Sequence, residues 1–212
     1  MSTPYNPTGR EDNCGFCAIS YGLYLQNRSV VDADQLYLAT IERLGLTREG
    51  NHDPIPRMLI FPDLKLPGGT PSTAYSALSG VLGLNSYTVT DVADHLNLRF
   101  TYSRMDVMLP NQFLAYQSES GNRGSLSDFT RTRLDFLRSK GGNPSLDAVR
   151  RQIVNAIAGH SIIGSEDASH FINAHIDPGG YLMGYDAQND KRYDAKGLRE
   201  RIGTVALFMH LR

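Results

Sequence analysis

The chain has 212 residues, 41% of them hydrophobic and 20% charged, a composition typical of a globular protein with one domain. Its formal net charge is -1, from 21 Lys and Arg and 22 Asp and Glu, so neither nucleic acid nor an anionic membrane is the expected partner. The apolar runs are far shorter than the roughly 20 residues of a transmembrane helix, and the first residues lack the apolar segment of a signal peptide.

The N-terminal part is predicted to be mainly helical. After a loop at the start, apolar residues recur at helical spacing, and Asp12 or Asn13 can cap that first helix. Residues 47–69 contain four prolines and little periodicity, so we interpret them as a long functional loop. Residues 98–117 have the first strand-like pattern. The predicted helices cover 14–28, 32–46, 71–84 and 89–97.

Two further helices are predicted in the second half of the chain, and both begin with a serine N-cap signal. The first covers 124–140 with Ser125 or Ser127 as the cap, and the second covers 144–159 with Ser145 as the cap. After them the pattern changes to short apolar runs bounded by turn signals. We therefore expect strands over 160–166, 169–176, 181–188 and 203–211.

The order of these elements, with helices first and an antiparallel sheet last, indicates an α+β fold. The "DPGG" segment at 177–180 is a turn signal that joins two of the strands into a hairpin. We expect one domain over residues 1–212, mainly helical over 1–97 and mainly antiparallel strands over 160–211. A cleft is expected where the two parts meet.

The only two cysteines, Cys14 and Cys17, stand three positions apart at the start of the first predicted helix. A redox pair of the thioredoxin type requires a strand before the motif, and only loop-like residues precede it here. A metal site with His170 and His175 has a permitted ligand spacing, but residues five apart on a strand point to opposite faces. Burial as two small apolar side chains suits Cys17, whereas Cys14, directly after "REDN", is expected to be solvated.

A nucleophile is the remaining interpretation, and Cys14 suits it. The N-terminus of a helix presents unpaired N–H groups and the positive end of the helix dipole, and both favour a reactive thiolate. The same N–H groups can stabilise an oxyanion on a substrate carbonyl. Gly15, directly after Cys14, leaves room for the substrate to approach.

A cysteine nucleophile needs an imidazole as its base, and the imidazole needs an orienting acceptor. Four of the six histidines are more simply interpreted as exposed or packing residues: His52, His95, His160 and His210. The other two, His170 and His175, lie on the predicted hairpin. We interpret His175 as a packing residue among Phe171, Tyr181 and Tyr185, which leaves His170 as the base.

The hairpin register can be derived from the turn length. If the turn spans 177–179, Ile176 faces Gly180 and His170 lies directly opposite Asp186 on the same face. Opposite residues have Cβ atoms roughly 4.5–5.5 Å apart, close enough for a carboxylate to orient the imidazole. A turn of two or four residues would place the pair on different faces. The alternative for Asp186 is a turn or edge residue, since "AQND" follows it.

These residues resemble the papain-like fold, in which a cysteine opens a long helix and a histidine and an Asn or Asp come from later strands. "EDNCGFCA" is similar to the D-G-N-C-x-F-x-A motif of the ovarian-tumour deubiquitinases, although no glycine precedes Asn13. "NPTGREDNCGFC", "SHFINA" and "YDAQND" are similar to three segments of papain-fold toxins and glutamine deamidases of bacterial effectors. We prefer this second resemblance because it covers all three segments.

The resemblance implies a thiol-dependent hydrolase with Cys14, His170 and Asp186 as its triad, most consistent with a protein-glutamine deamidase of the effector or toxin type. A cysteine peptidase or deubiquitinase-like isopeptidase would use the same thioester chemistry. From a different class, the chain could be a catalytically inactive binding module that uses the same cleft. Papain peptidases use the second cysteine of a C-G-x-C motif, with a glutamine six residues before it, and that position is Glu11 here.

Thr8 stands six residues before Cys14, so no glutamine side chain is available there for an oxyanion hole. We therefore expect a hole made mostly of backbone N–H groups, with the Asn13 side chain as an additional donor. The expected partner is a protein substrate, with no cofactor and no metal, and nothing indicates the oligomeric state. Two cysteines do not make a disulfide framework, so we expect a reducing compartment such as the cytoplasm. Export into a target cell by a specialised secretion system is the alternative.

Overall fold

The structure is a computed structural model that describes residues 2–48, 50, 53, 54, 57, 92, 96, 100–102, 108–120, 124–157, 159–165 and 170–211. The predicted helix 71–84 lies outside the described residues, as does the predicted helix 89–97 apart from Val92 and Leu96. His52 and His95 also lie outside them. The described residues form an α+β fold, as the order of elements in the sequence predicts.

All six described strands belong to one antiparallel sheet, in the order β1-β6-β2-β3-β4-β5. The strands are β1 (Phe100–Tyr102), β2 (His160–Ser165), β3 (Phe171–Ile176), β4 (Leu182–Asp186), β5 (Lys191–Tyr193) and β6 (Val205–Leu211). The described helices are α1 (Cys14–Asn27), α2 (Ala33–Arg43), α3 (Met108–Ser120), α4 (Leu126–Ser139), α5 (Leu146–Ile157) and α6 (Ala195–Ile202). Within the described ranges, none of these helices has the length and apolarity needed to cross a bilayer.

Most of the described helices begin with a side-chain cap, and α1 differs. Asp32 accepts a hydrogen bond from Gln35 N–H at the start of α2, and the Gln35 side chain returns one to complete a capping box. The predicted caps Ser125 and Ser145 are confirmed by bonds to backbone N–H groups of the first turns of α4 and α5. Asn13 occupies the N-cap position of α1, but its side chain makes no cap bond and is used elsewhere.

The prediction of a strand-like stretch over 98–117 was wrong for residues 108–117, which are helical. Among the described residues of this stretch, Phe100–Tyr102 form a strand, and α3 begins at Met108. The buried residues of α3 are Pro110, Phe113, Leu114 and Gln117. Their spacing of three and four positions is that of one helix face. The aromatic and apolar composition masked this period in the sequence.

Two elements near the C-terminus, β5 and α6, were not predicted. Their segment is rich in charged residues, which hides the short apolar pattern of α6. Its buried residues are Ala195, Leu198 and Ile202, and Asp194 caps it by accepting from Gly197 N–H at 2.8 Å. That Asp cap followed by apolar residues three and four positions apart was the available signal.

The sheet separates two hydrophobic cores, because successive side chains of a strand point to opposite faces. On one face, α1 and α2 pack against Ile162, Phe171 and Met209. On the other face, α3 to α6 pack against the neighbouring positions, which include Ile163 and Ile172. Because β3 and β4 are antiparallel neighbours, the start of β3 and the end of β4 lie at the same end of the sheet.

Candidate active site

The β3–β4 hairpin has a longer turn than predicted, and its register is shifted by two residues. Ile176 pairs with Leu182, not with Gly180, and Asn173 pairs with Tyr185. Five residues lie between Ile176 and Leu182; among them, Asp177 N–H donates to Tyr181 O at 2.9 Å and Gly180 adopts a φ of 84°. A shift of two keeps every side chain on its face. The predicted direct opposition of His170 and Asp186 was therefore wrong, whereas their shared face is retained.

His170 and Asp186 meet diagonally across the open end of this hairpin. His170 Nε2 lies 2.8 Å from Asp186 Oδ2, within the range of a charge-assisted hydrogen bond. Both residues are buried, with 3% and 0% of their surfaces exposed. Because Nε2 is engaged by the carboxylate, Nδ1 is the ring nitrogen left for a thiol.

Asp186 lies in a set of hydrogen-bond donors from the turn between β4 and β5. Its Oδ1 accepts from Gln188 N–H at 3.1 Å and from Asn189 N–H at 3.2 Å. Its Oδ2 accepts from Asn189 Nδ2 at 3.0 Å in addition to His170. Burial by itself would raise the pKa of Asp186, but the hydrogen bonds from His170 and Asn189 lower it below the ordinary value. The carboxylate is therefore ionised wherever the protein is folded near neutral pH.

Cys14 is the first residue of α1, as predicted, and its thiol lies near enough to His170 to help raise the pKa of that ring. The expectation that Cys14 is solvated was wrong, because only 7% of it is exposed. The whole first half of α1, from Cys14 to Ser20, is buried against the sheet, so the helix N-terminus is covered as well. The structure thus brings Cys14, His170 and Asp186 together in the order of a triad.

The surroundings of His170 favour its charged form. Burial alone would lower the pKa of His170, because it penalises a charged ring. The hydrogen bond to Asp186, the hydrogen-bonding contact with Cys14 and the negative charges of both groups outweigh burial and raise the pKa of His170 to about 9. At neutral pH the ring is therefore mainly an imidazolium, which puts a positive charge beside Cys14.

Cys17 has a different environment one turn further along α1. It is fully buried, with 0% exposure, and its single S–H has two acceptors within reach, Asn13 Oδ1 at 3.4 Å and Tyr5 O at 3.7 Å from Sγ. Burial raises the pKa of the Cys17 thiol, and the neighbouring Cys14 adds to the rise. The prediction that Cys17 is a small buried side chain is confirmed.

Asn13 and Gly15 flank Cys14, and both are buried in α1 or at its start. The Asn13 side chain does not cap the helix: its Nδ2 donates to Asn6 Oδ1 at 3.1 Å, and its Oδ1 accepts from Gln188 Nε2 at 3.2 Å. These bonds direct the Asn13 amide towards the N-terminal segment. The Asn13 side chain therefore links Asn6 to Gln188, a role that its sequence position did not indicate.

His175, the other histidine of the hairpin, lies away from Cys14. It pairs with His160 across β2 and β3, with ring centroids 5.0 Å apart. His160 begins β2, as predicted. Among the described residues, no group of three or more His, Cys, Asp or Glu side chains is arranged to hold a metal ion.

The described chain is thus an α+β protein with a buried Cys–His–Asp cluster at the end of the sheet where β3 begins and β4 ends. No protein-family model, curated protein or solved structure matched the chain in the three comparisons. A relation to papain-like proteins is therefore a proposal, and it rests on the motifs and on the geometry of this cluster.

Two residues of the cluster's surroundings, Asn6 and Gln188, received no role from the sequence. Both are buried amides, with 1% and 5% exposure, and Asn6 Nδ2 donates to Gln188 O at 3.2 Å. They lie in the "NPTG" and "DAQ" segments on which the resemblance depends. No periodicity or spacing could join them, since their contact crosses almost the entire chain.

Proposed function

We propose that the protein is a papain-like cysteine hydrolase that acts on carboxamide or peptide bonds of a protein substrate. The observation that carries this proposal is the 2.8 Å contact of His170 with Asp186 beside the Cys14 thiol at a helix N-terminus. A thiol, an imidazole and a carboxylate in this order are the elements of nucleophilic acyl transfer.

The reaction begins with the thiolate of Cys14 and the imidazolium of His170. The sulfur attacks the carbonyl carbon of the substrate, and the carbonyl electrons form an oxyanion. When the oxyanion collapses, the bond to nitrogen breaks and His170 gives its proton to the leaving ammonia or amine. Water then loses a proton to His170, attacks the thioester and releases the acid with the Cys14 thiolate. Asp186 keeps the ring oriented and stabilises its charged form throughout.

The oxyanion is assigned to backbone donors. The Cys14 N–H lies at the start of α1, where the N–H groups have no partner within the helix, and the helix dipole adds to the stabilisation. The Asn13 side chain donates to Asn6, so it is assigned to holding the N-terminal segment in place of the donor role expected from the sequence.

Among hydrolases of this kind, we assign the protein to the protein-glutamine deamidases, because the three motif segments resemble those of papain-fold effector deamidases. The test is intact-mass analysis of candidate substrate proteins after incubation with the wild-type chain and with Cys14→Ser. Deamidation replaces an amide NH₂ by OH and gives a small mass gain that depends on Cys14. Fragments would mean proteolysis or isopeptide cleavage instead, and no Cys14-dependent change in any substrate would count against the hydrolase.

One observation favours a second candidate, a binding module without activity. Cys14 is only 7% exposed, so a substrate carbonyl reaches the sulfur only if the neighbouring groups move. Iodoacetamide separates the two candidates: an activated Cys14 is alkylated faster than free cysteine at mildly acidic pH, where the free thiol is protonated. Alkylation at or below the rate of free cysteine would favour the binding module.

A further inference from the structure

We propose that Gln188 is a positioning residue that fixes the spacing between Asp186, His170 and Cys14; this inference rests on the proposed function, in which Cys14 is the nucleophile. Gln188 lies in the turn between β4 and β5, two positions after Asp186, and is 5% exposed. It is not a catalytic residue, because it acts only through the groups that it holds.

The backbone of Gln188 holds the carboxylate of the cluster. Its N–H donates to Asp186 Oδ1 at 3.1 Å, beside the bond from Asn189 N–H to the same oxygen at 3.2 Å. The direction of a backbone N–H is set by the path of the turn. Whatever anchors the turn therefore also anchors Asp186, and through it the ring of His170.

The side chain of Gln188 holds the residue that precedes the nucleophile. Its Nε2 donates to Asn13 Oδ1 at 3.2 Å and to Arg10 O at 3.1 Å, so both amide hydrogens have acceptors. Asn13 O in turn accepts from Cys17 N–H at 3.0 Å in the first turn of α1. Gln188 thus joins the turn that holds Asp186 to the start of the helix that carries Cys14.

Asn6 closes the same network from the N-terminal segment. Its Nδ2 donates to Gln188 O at 3.2 Å and to Arg10 O at 2.9 Å, and its Oδ1 accepts from Asn13 Nδ2 and Arg10 N–H, both at 3.1 Å. Every hydrogen-bonding site of this amide is used. A buried network in which the donors and acceptors are matched permits one arrangement of its members and is rigid for that reason.

The need for such a link follows from where the triad residues lie. Gln188 and Asn13 are 175 positions apart in the chain, so only tertiary contacts set the distance between the acid and the nucleophile. Misplacement of reacting groups by about 1 Å can reduce a rate by about 10²-fold. The Gln188 side chain connects the turn that holds Asp186 to the residue before Cys14. We therefore expect it to control the reactivity of Cys14.

Gln117 provides a matched control at the other end of the hairpin. It is also a buried glutamine, 2% exposed, whose Nε2 donates to Gly124 O at 2.7 Å and to Gly180 O at 3.0 Å. It contacts none of the triad residues in the described hydrogen bonds. Replacement of either glutamine by methionine removes two amide donors without adding charge. Gln117→Met also leaves Leu182 N–H without its acceptor, so the control loses at least as many hydrogen bonds as Gln188→Met.

The test compares Gln188→Met with Gln117→Met in the full chain, with His170→Ala as the reference for an unassisted thiol. The measured quantity is the rate of iodoacetamide alkylation of Cys14 from mildly acidic to alkaline pH, normalised to the folded fraction. We expect Gln188→Met to slow alkylation at mildly acidic pH by about tenfold or more, towards the rate of His170→Ala. Gln117→Met is expected to keep the wild-type rate and pH profile.

Equal rates in Gln188→Met and Gln117→Met would overturn the positioning role. A wild-type rate that matches free cysteine and does not change in His170→Ala would overturn the proposed function instead, so the two failures are distinct. If Gln188→Met does not fold, Gln188→Asn takes its place, since it keeps a neutral amide but withdraws it by one methylene. An unchanged alkylation rate in a folded Gln188→Asn would equally count against the role.

Discussion

The two ends of the β3–β4 hairpin are both held by buried amide side chains, but they hold different groups. At the turn end, Gln117 bonds backbone atoms only: its Oε1 accepts from Leu182 N–H at 2.7 Å and its Nε2 donates to Gly180 O at 3.0 Å. At the open end, the side chain of Gln188 donates to Asn13 Oδ1, and its backbone N–H donates to the carboxylate of Asp186.

A buried, satisfied polar network therefore does not by itself mark a functional site. The turn end also contains a carboxylate, Asp177, and its Oδ1 accepts from Tyr181 N–H at 2.8 Å to shape the turn. At the open end the carboxylate bonds an imidazole near the Cys14 thiol, and the pKa of His170 is raised to about 9. What separates the ends is the chemistry of the groups that the network holds in place.

The largest effect is expected from removing the nucleophile at the open end. Cys14→Ser replaces the thiol by a hydroxyl, which an imidazole at this position activates far less readily than a thiol. We expect complete loss of Cys14-dependent alkylation and of substrate modification, with little change in the unfolding midpoint. Substrate modification that survives in Cys14→Ser would mean that another residue is the nucleophile.

The second-largest effect on activity is expected from neutralising the Asp186 carboxylate, and this effect depends on pH. Asp186→Asn removes the charge that raises the pKa of His170, so the alkaline limit of activity near pH 9 moves to lower pH. We expect activity to fall by about 10²–10⁴-fold. A pH–rate profile of the wild type and Asp186→Asn measures both changes, and an unshifted alkaline limit would show that Asp186 does not set the charge of His170.

The same substitution changes how stability depends on pH. The pKa of His170 is about 9 in the folded protein and about 6.5 in an unfolded chain, so protonation stabilises the folded state. This contribution is complete below about pH 6.5 and is lost as the pH rises through about 9. The free energy of unfolding of the wild type should therefore approach that of Asp186→Asn as the pH is raised across this range, and a constant difference would contradict it.

A smaller effect is expected at the middle of the hairpin, between its two ends. At Gly184 an added Cβ would lie 2.7 Å from Leu198 Cδ1 and 3.5 Å from Ile172 Cγ2, and Leu198 is fully buried. Gly184→Ala should lower the free energy of unfolding by about 1–3 kcal/mol through overpacking, while the alkylation rate of the folded fraction stays the same. Denaturant titration measures the loss.

A double-mutant cycle tests the cause of that loss. Leu198→Ala leaves a cavity that the added methyl group partly fills, so the double variant should be more stable than the sum of the single changes. Strict additivity would mean that Gly184→Ala acts on the backbone and not on Leu198. A shifted alkylation profile in Gly184→Ala would show that the middle of the hairpin controls the open end.

The faces of the hairpin were predictable from the sequence, and its register was not. Side-chain parity depends only on whether the turn has an odd or even number of residues, so the shared face of His170 and Asp186 survived a turn that was two residues longer. The extra length depends on the bonds of Asp177 and on the positive φ of Gly180, which no alternation pattern encodes.

The start of α1 at Cys14 was also predictable, because cap-type residues and helical spacing are local signals. The roles of Asn6 and Gln188 were not predictable, since their bonds join positions 182 residues apart. The burial of Cys14 was missed for a related reason. The polar "REDN" segment before it indicates a solvated position, whereas the sheet that covers it comes from the other end of the chain.

The smallest effect is expected from Cys17→Ser, which separates the two cysteines of α1. The serine hydroxyl can donate to Tyr5 O or Asn13 Oδ1, the two acceptors of the Cys17 thiol, but it is more costly to bury than sulfur. We expect a loss of about 1 kcal/mol in the free energy of unfolding and a wild-type alkylation profile at Cys14. If Cys17→Ser were instead inactive while remaining folded, the second cysteine of the motif would be the nucleophile, because no loss of packing of that size abolishes catalysis in a folded protein.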